Sequence, residues 1–132
     1  MIKNKVNNQY YAFYFVGLSG AFAVLFSAWL SHAGKSLPAE DIQRIVIALA
    51  IQFVHTLVLL ITLIWLKIQL NVSRTSKALL IAIYCFILGI FLFSGLLYMK
   101  TFIPIGFLGK LTPFGGISLT LGWIMLAIAA KE

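Results

Sequence analysis

The side chains able to do chemistry are few. They are His32, Gln52, His55, Ser94, Tyr98 and Thr112, in a chain of 132 residues with three carboxylates and one cysteine. Gln52 and His55 lie three residues apart and so share one face of a helix. An imidazole in such company relays a proton, ligates a metal or haem, contacts a polar headgroup, or simply glues two helices as a neutral hydrogen-bonding group. No P-loop, GxSxG elbow, HExxH or CxxC occurs, and no nucleophile and base stand together. No catalytic residue is therefore assigned, and a non-enzymatic protein is expected. Gly115-Gly116 after Pro113 is too short for a nucleotide loop and follows no strand.

The elements that hold these residues follow from composition. Hydrophobic residues make up 62% of the chain, charged residues 10%, and the mean hydropathy is +1.05. A soluble domain, with about 25% charged residues, is excluded. Four uncharged runs, residues 10–31, 45–66, 78–99 and 113–130, each approach the roughly 20 residues that cross a bilayer as a helix. The predicted fold is an all-α membrane protein, one domain over residues 1–132, with four transmembrane helices in one antiparallel bundle. Pro38 and Pro104 fall in connections, and Pro113 opens the fourth run, where its missing N–H costs least. Lys3 and Lys5 before the first run, with Ser31-His32-Ala33 after it, imitate a signal peptide. The run of about 22 residues exceeds a signal core of about 7 to 15, and it is read as a true span.

Ten Lys and Arg oppose three Asp and Glu, a formal charge of +7. The bases sit singly at the ends of apolar runs, which points to lipid headgroups as counterions and away from nucleic acid. Four spans put both termini on one side with Lys3, Lys5, Lys67, Arg74, Lys77 and Lys131. Lys35, Arg44, Lys100 and Lys110 fall on the other. The positive-inside rule then places both termini in the cytoplasm.

This topology sets depths. His32, Ser94, Tyr98 and Thr112, the last read as capping the fourth helix, gather with Gln52 in the outer half of the bundle. His55, about 15 Å along its helix from Ile45, lies near the midplane. An imidazole there needs a partner, and Gln52, Ser27 and Ser94 are the candidates. His32 sits at the surface, about 15 Å from His55 in depth, and Cys85 starts near the inner side. Four short-range zinc ligands or a bis-histidine haem do not assemble from such positions, so no metal and no cofactor are assigned. Cys85 reads as a buried inert thiol.

Small residues mark packing. Ser19, Ala23, Ser27 and Ser31 recur every four residues on the first helix, Ala82, Cys85 and Gly89 on the third, and Gly115, Ser118 and Gly122 on the fourth. Such stripes let helices approach closely within the bundle or across a homo-oligomer interface. Tyr10, Tyr11, Tyr14, Trp29, Trp65, Tyr98 and Trp123 are read mostly as interfacial anchors. The loop over residues 100–112, rich in Phe, Ile and Gly, is expected to lie at the membrane interface.

These residues carry a resemblance. Ala28-Trp29-Leu30-Ser31-His32-Ala33 and Gln52-Phe53-Val54-His55 resemble the G-A-H-A and Y-Q-x-x-H features of the domain of unknown function 423 family, also called transmembrane protein 256-like. Phe93-Ser94-Gly95-Leu96-Leu97-Tyr98 resembles its F-S-G-S-L-Y segment. Thr112-Pro113-Phe114-Gly115-Gly116 and Gly122-Trp123 resemble its T-P-x-G-G and G-W segments. The match runs from about Gly17 to Ala130, with Ser31 in place of Gly, Phe53 after Gln52, and Leu96 in place of Ser. The resemblance implies a four-span inner-membrane protein of bacteria with mitochondrial relatives, and it supplies no activity. Two functional expectations follow. One is an accessory or interaction subunit that binds another membrane protein or lipids; the other is a small transporter or ligand-binding protein using the cluster around His55 and Gln52.

Overall fold

In the computed structural model, which describes residues 2–72 and 75–131 with side chains from Gln9 onward, all regular structure is helical. Helix α1 spans Ile2–His32, α2 Ala39–Asn71, α3 Lys77–Ile90, α4 Leu96–Phe102 and α5 Thr112–Ala129. Short 3₁₀ turns cover Gly34–Ser36 and Gly106–Leu111. A π-helical segment, Phe91–Gly95, joins α3 to α4 without a break, so that Lys77–Phe102 is one continuous third span. Four stretches are long and apolar enough to cross a membrane: Gln9–His32, Ala39–Asn71, Lys77–Phe102 and Gly106–Ala129.

The helices outrun the apolar runs because their ends are built from residues that favour helix and water together. At about 1.5 Å per residue, the 33 residues of α2 extend about 50 Å, well past a hydrocarbon core of about 30 Å. Its first turn carries Glu40 and Asp41 at the positive end of the helix dipole, and Arg44 pairs with both, at 2.8 Å from Glu40. Ser76 caps α3 by accepting the Leu79 N–H at 3.0 Å. The fourth helix is not capped by Thr112: Leu111 holds the cap position without a side-chain bond, and Thr112 is the first helical residue. The preceding 3₁₀ turn and Pro113 set the entry instead. The loop before it turns at Gly106, whose φ of +50° suits glycine, and leaves Phe102, Ile103, Phe107 and Leu108 exposed. That is the surface an interfacial segment presents.

The core is organised about α2. Its buried residues Ile45, Ala48, Leu49, Gln52, His55, Thr56, Leu59, Thr62, Leu63 and Leu66 repeat with a period of seven, the seam of one helix packed among neighbours. Leu59, Leu63 and Leu66 meet Leu79, Ala82 and Phe86 of α3 in the larger apolar cluster. Helix α5 packs on α3 through the two small-residue stripes. A side-chain carbon on Gly89 would lie 2.6 Å from Leu119 Cγ, and one on Gly122 would lie 2.6 Å from the Phe86 ring. One on Gly115 would come within 2.7 Å of the Leu92 carbonyl carbon, so there backbone touches backbone. Ser118 seals this contact, its hydroxyl donating to the Cys85 carbonyl at 2.8 Å. The approach falls on the π segment, at Leu92 and Phe93.

The stripe on α1 behaves differently. Ser19 and Ala23 are buried against α2, but Ser27 and Ser31 are exposed and only the Ser31 hydroxyl bonds, back to the Ser27 carbonyl. Ser27 is thus not a packing residue within the chain. Helix α1 rests along α2, and past Ala23 it follows the aromatic rings of the third span: Phe26 meets Tyr98 at 5.1 Å and Phe102 at 6.2 Å between centroids. Rings hold the helices farther apart than a small-residue groove would.

Candidate functional site

The buried polar side chains Gln52, His55 and Thr56 of α2 each bond a neighbouring helix, whereas Thr62 bonds back to the Val58 carbonyl of its own. Gln52 donates through Nε2 to the Ser19 carbonyl and to the Ser19 hydroxyl, both at 3.0 Å, while its Oε1 accepts the Tyr98 hydroxyl at 2.7 Å. Ser19 and Thr56 share a hydrogen bond of 2.7 Å between their hydroxyls. Ser94, fully buried, donates to the Ala48 carbonyl at 2.8 Å. One turn of α2 thereby bonds α1 through Ser19, α4 through Tyr98, and the π segment through Ser94.

His55, midway along α2, faces a different neighbour. Its Nδ1 lies 2.7 Å from the Ile51 carbonyl, a contact possible only if Nδ1 carries the proton. Its Nε2 lies 3.1 Å from Trp123 Nε1, and since indole nitrogen only donates, Nε2 is the acceptor. The two bonds together select the neutral Nδ1–H tautomer and occupy both nitrogens. The Phe86 ring, 5.9 Å away, packs beside the imidazole.

These positions correct several sequence-based expectations. The partner of His55 is Trp123, not Gln52, Ser27 or Ser94. Gln52 and His55 do share a buried face of α2, yet Gln52 points to α1 and α4 whereas His55 points to α5. His32 ends α1 exposed and takes no part in the cluster, and Thr112 bonds to none of its members among the described residues. Tyr98 and Trp123 are not plain interfacial anchors, because each donates a hydrogen bond into the core. The group that the structure gathers is therefore Ser19, Gln52, Thr56, Ser94 and Tyr98, with His55 and Trp123 as a separate pair.

Two signals for the missed members stand in the sequence. Thr56 follows Gln52 by four residues, on the same helical face. Trp123 lies about ten residues inside the fourth run, some 15 Å deep, which is the depth of His55 and too deep for a belt residue. A pocket of about 300 Å³ opens beside Gln52, bounded by Ser19, Phe22, Phe91 and Tyr98.

Comparison with known proteins settles the lineage. Residues 13–116 match the family model described as "Protein of unknown function (DUF423)". The chain belongs to the DUF423 family. It is similar to the "UPF0382 membrane protein" of Haemophilus influenzae, with 33% identity over 113 residues, 85% of this chain and 86% of that one. It also resembles "UPF0382 membrane protein YwdK" of Bacillus subtilis, 48% identical over 44 residues, and "UPF0382 membrane protein SAB0533" of Staphylococcus aureus, 51% identical over 41. Those two matches cover about a third of each chain, 33% of this one and 36% of YwdK, 31% and 34% for SAB0533. No solved structure matches. The family and the four apolar helices identify a multi-pass protein of the bacterial membrane. The matched segment includes Ser19, Gln52, Thr56, Ser94 and Tyr98, and stops short of Trp123.

Proposed function

We propose that this DUF423 protein is a small non-enzymatic subunit of the bacterial inner membrane that binds another membrane protein through the outward flank of α1. In this reading its spans form one antiparallel bundle with both termini in the cytoplasm. The supporting observation is a contrast among glycines. Gly89, Gly115 and Gly122 are pressed against neighbouring residues, whereas Gly17 and Gly20 of α1 have nothing within 4 Å of where a side chain would begin. Ala21, Ala28 and Ser31 continue this exposed line of small residues. In hydrocarbon, close backbone approach is what small residues contribute, and these are unused inside the chain. The buried polar groups of the Gln52 cluster, by contrast, are hydrogen-bonded within the chain.

The test is mass spectrometry of the native protein extracted in mild detergent at natural abundance, alongside Gly17→Leu and Gly20→Leu. The expected result is a stoichiometric complex with a second membrane protein that both substitutions dissociate, while the melting temperature of the isolated chain is unchanged. A bare monomer, or a homo-oligomer indifferent to both substitutions, overturns the reading.

A second reading, a small transporter or ligand-binding protein, draws on the pocket of about 300 Å³ beside Ser19, Gln52 and Tyr98. It predicts a discrete small mass retained by the wild type and lost on Gln52→Leu.

A further inference from the structure

A larger opening lies elsewhere. Between α1 and the third span, on the side of the chain termini, a cleft of about 540 Å³ is walled by Ala12 and Phe15 of α1, Leu66 of α2, and Leu80, Tyr84 and Ile87 of α3. It lies where α1 rests along α2 and meets the third span through aromatic rings such as Phe15 on Phe91. Phe15, whose ring centroid lies 5.2 Å from that of Phe91, lines it on the α1 side. The walls are apolar, so a polar occupant would surrender its hydration without gaining partners. From Leu80 to Ile87 the cleft runs about 10 Å along the helix, much of the roughly 15 Å that one leaflet contributes to the hydrocarbon core.

The mouth is charged. Lys77 precedes Leu80 by three residues and Tyr84 by seven, which puts it on the cleft face of α3, where it is exposed. By sequence, this end of the bundle carries Lys3, Lys5, Lys67, Arg74, Lys77 and Lys131, six of the ten bases, against the single acid Glu132. Gln9 adds an amide at the rim.

We propose that this cleft seats one acyl chain of an anionic phospholipid drawn from the leaflet on the side of the termini, with Lys77 facing its headgroup. Three helices then contact the tail where an ordinary boundary lipid meets one face. A neutral-headed phospholipid fits the cleft equally well but gains nothing from the lysine. The proposal concerns a face distinct from the exposed line of α1 glycines and stands whether or not a protein partner exists.

The experiment is native mass spectrometry of the purified full chain with equal amounts of phosphatidylglycerol and phosphatidylcholine bearing identical acyl chains. One basic residue near a membrane surface corresponds to a preference of about fivefold for the anionic lipid. Lys77→Glu, a surface change, is expected to abolish that preference at unchanged melting temperature. Leu80→Trp, which fills the cleft, is expected to remove both adducts. Phosphatidylglycerol carrying a photoreactive diazirine in its acyl chain supplies a readout on the unaltered protein, with crosslinks expected on Tyr84 and Ile87. Equal binding of the two lipids, a preference that Lys77→Glu leaves intact, or crosslinks confined to α5 would overturn the proposal.

Discussion

Trp123 of α5 donates its indole N–H to His55 of α2 across 3.1 Å, and this bond spends the second nitrogen of the one histidine buried in the membrane. With Nδ1 already committed to the Ile51 carbonyl, both ring nitrogens are engaged within the protein. Its role in this arrangement is to fasten α5 to α2.

The fastening can be measured by a double-mutant cycle of His55→Leu and Trp123→Phe. Interhelical hydrogen bonds in membrane proteins average about 0.6 kcal/mol and reach about 1.7 kcal/mol. A coupling in that range is expected from unfolding in detergent. A relay or ligand role would instead show itself as additive stability effects together with loss of a bound species.

Gln52 supports more of the structure than His55 does. Its amide bonds both α1 and α4, and replacing it by Leu leaves the Tyr98 hydroxyl without its acceptor and removes both bonds to Ser19, whose hydroxyl keeps only Thr56. Each abandoned buried group costs about 1 to 3 kcal/mol. Gln52→Leu is therefore expected to destabilise the chain more than Tyr98→Phe, which orphans only one acceptor. It is also expected to loosen α1 selectively, read as faster labelling of a cysteine introduced at Ala23 in a Cys85→Ala background. Equal melting temperatures for the two variants would remove Gln52 from this central place.

Gly115 tests the packing of the fourth span. A methyl group there meets the backbone of Leu92 and Phe93 and not a movable side-chain tip. Overpacking of this kind costs about 1 to 3 kcal/mol, and Gly115→Ala is expected to fall in the upper part of that range. Gly17→Ala, with open space around it, is expected to be neutral in the same melting assay.

How far these arrangements were legible in the sequence depends on how local their causes are. Span number follows from hydropathy summed over about 20 residues, and all four spans emerged. The stripes at Gly89 and at Gly115, Ser118 and Gly122 also announced the α3 and α5 contact, because small residues at helical spacing have one common use in hydrocarbon. The stripe on α1 carried the same signature and half of it misled: Ser27 and Ser31 look identical to Ser19 in sequence, and only the neighbouring rings of Phe26, Tyr98 and Phe102 keep them apart from the bundle. The polar pairings were legible as a set but not as pairs. Gln52 and His55 share a face, yet a helix rotated among three neighbours presents adjacent residues to different partners. The π segment had no local signal, and the contacts that fall on it, the close approach of Gly115 and the buried bond from Ser94 to Ala48, come from residues far away in the chain.

The proposed membrane orientation rests on the distribution of bases. Of the four bases on the side opposite the termini, Arg44 is already bound to Glu40 and Asp41 on its own helix. Acids count little in the positive-inside rule, so the comparison stays six bases against four. The positive-inside bias is strongest for bases within about 15 to 20 residues of a span, which includes all of these. Single cysteines at Lys35 and at Lys131, in a Cys85→Ala background, are therefore expected to behave oppositely toward a membrane-impermeant maleimide in intact cells. Position 35 labels from outside, and position 131 labels only after permeabilisation. The reverse pattern would invert the topology and move the Lys77 end of the α1 cleft to the outer leaflet, where the same charge would face a different pool of lipid.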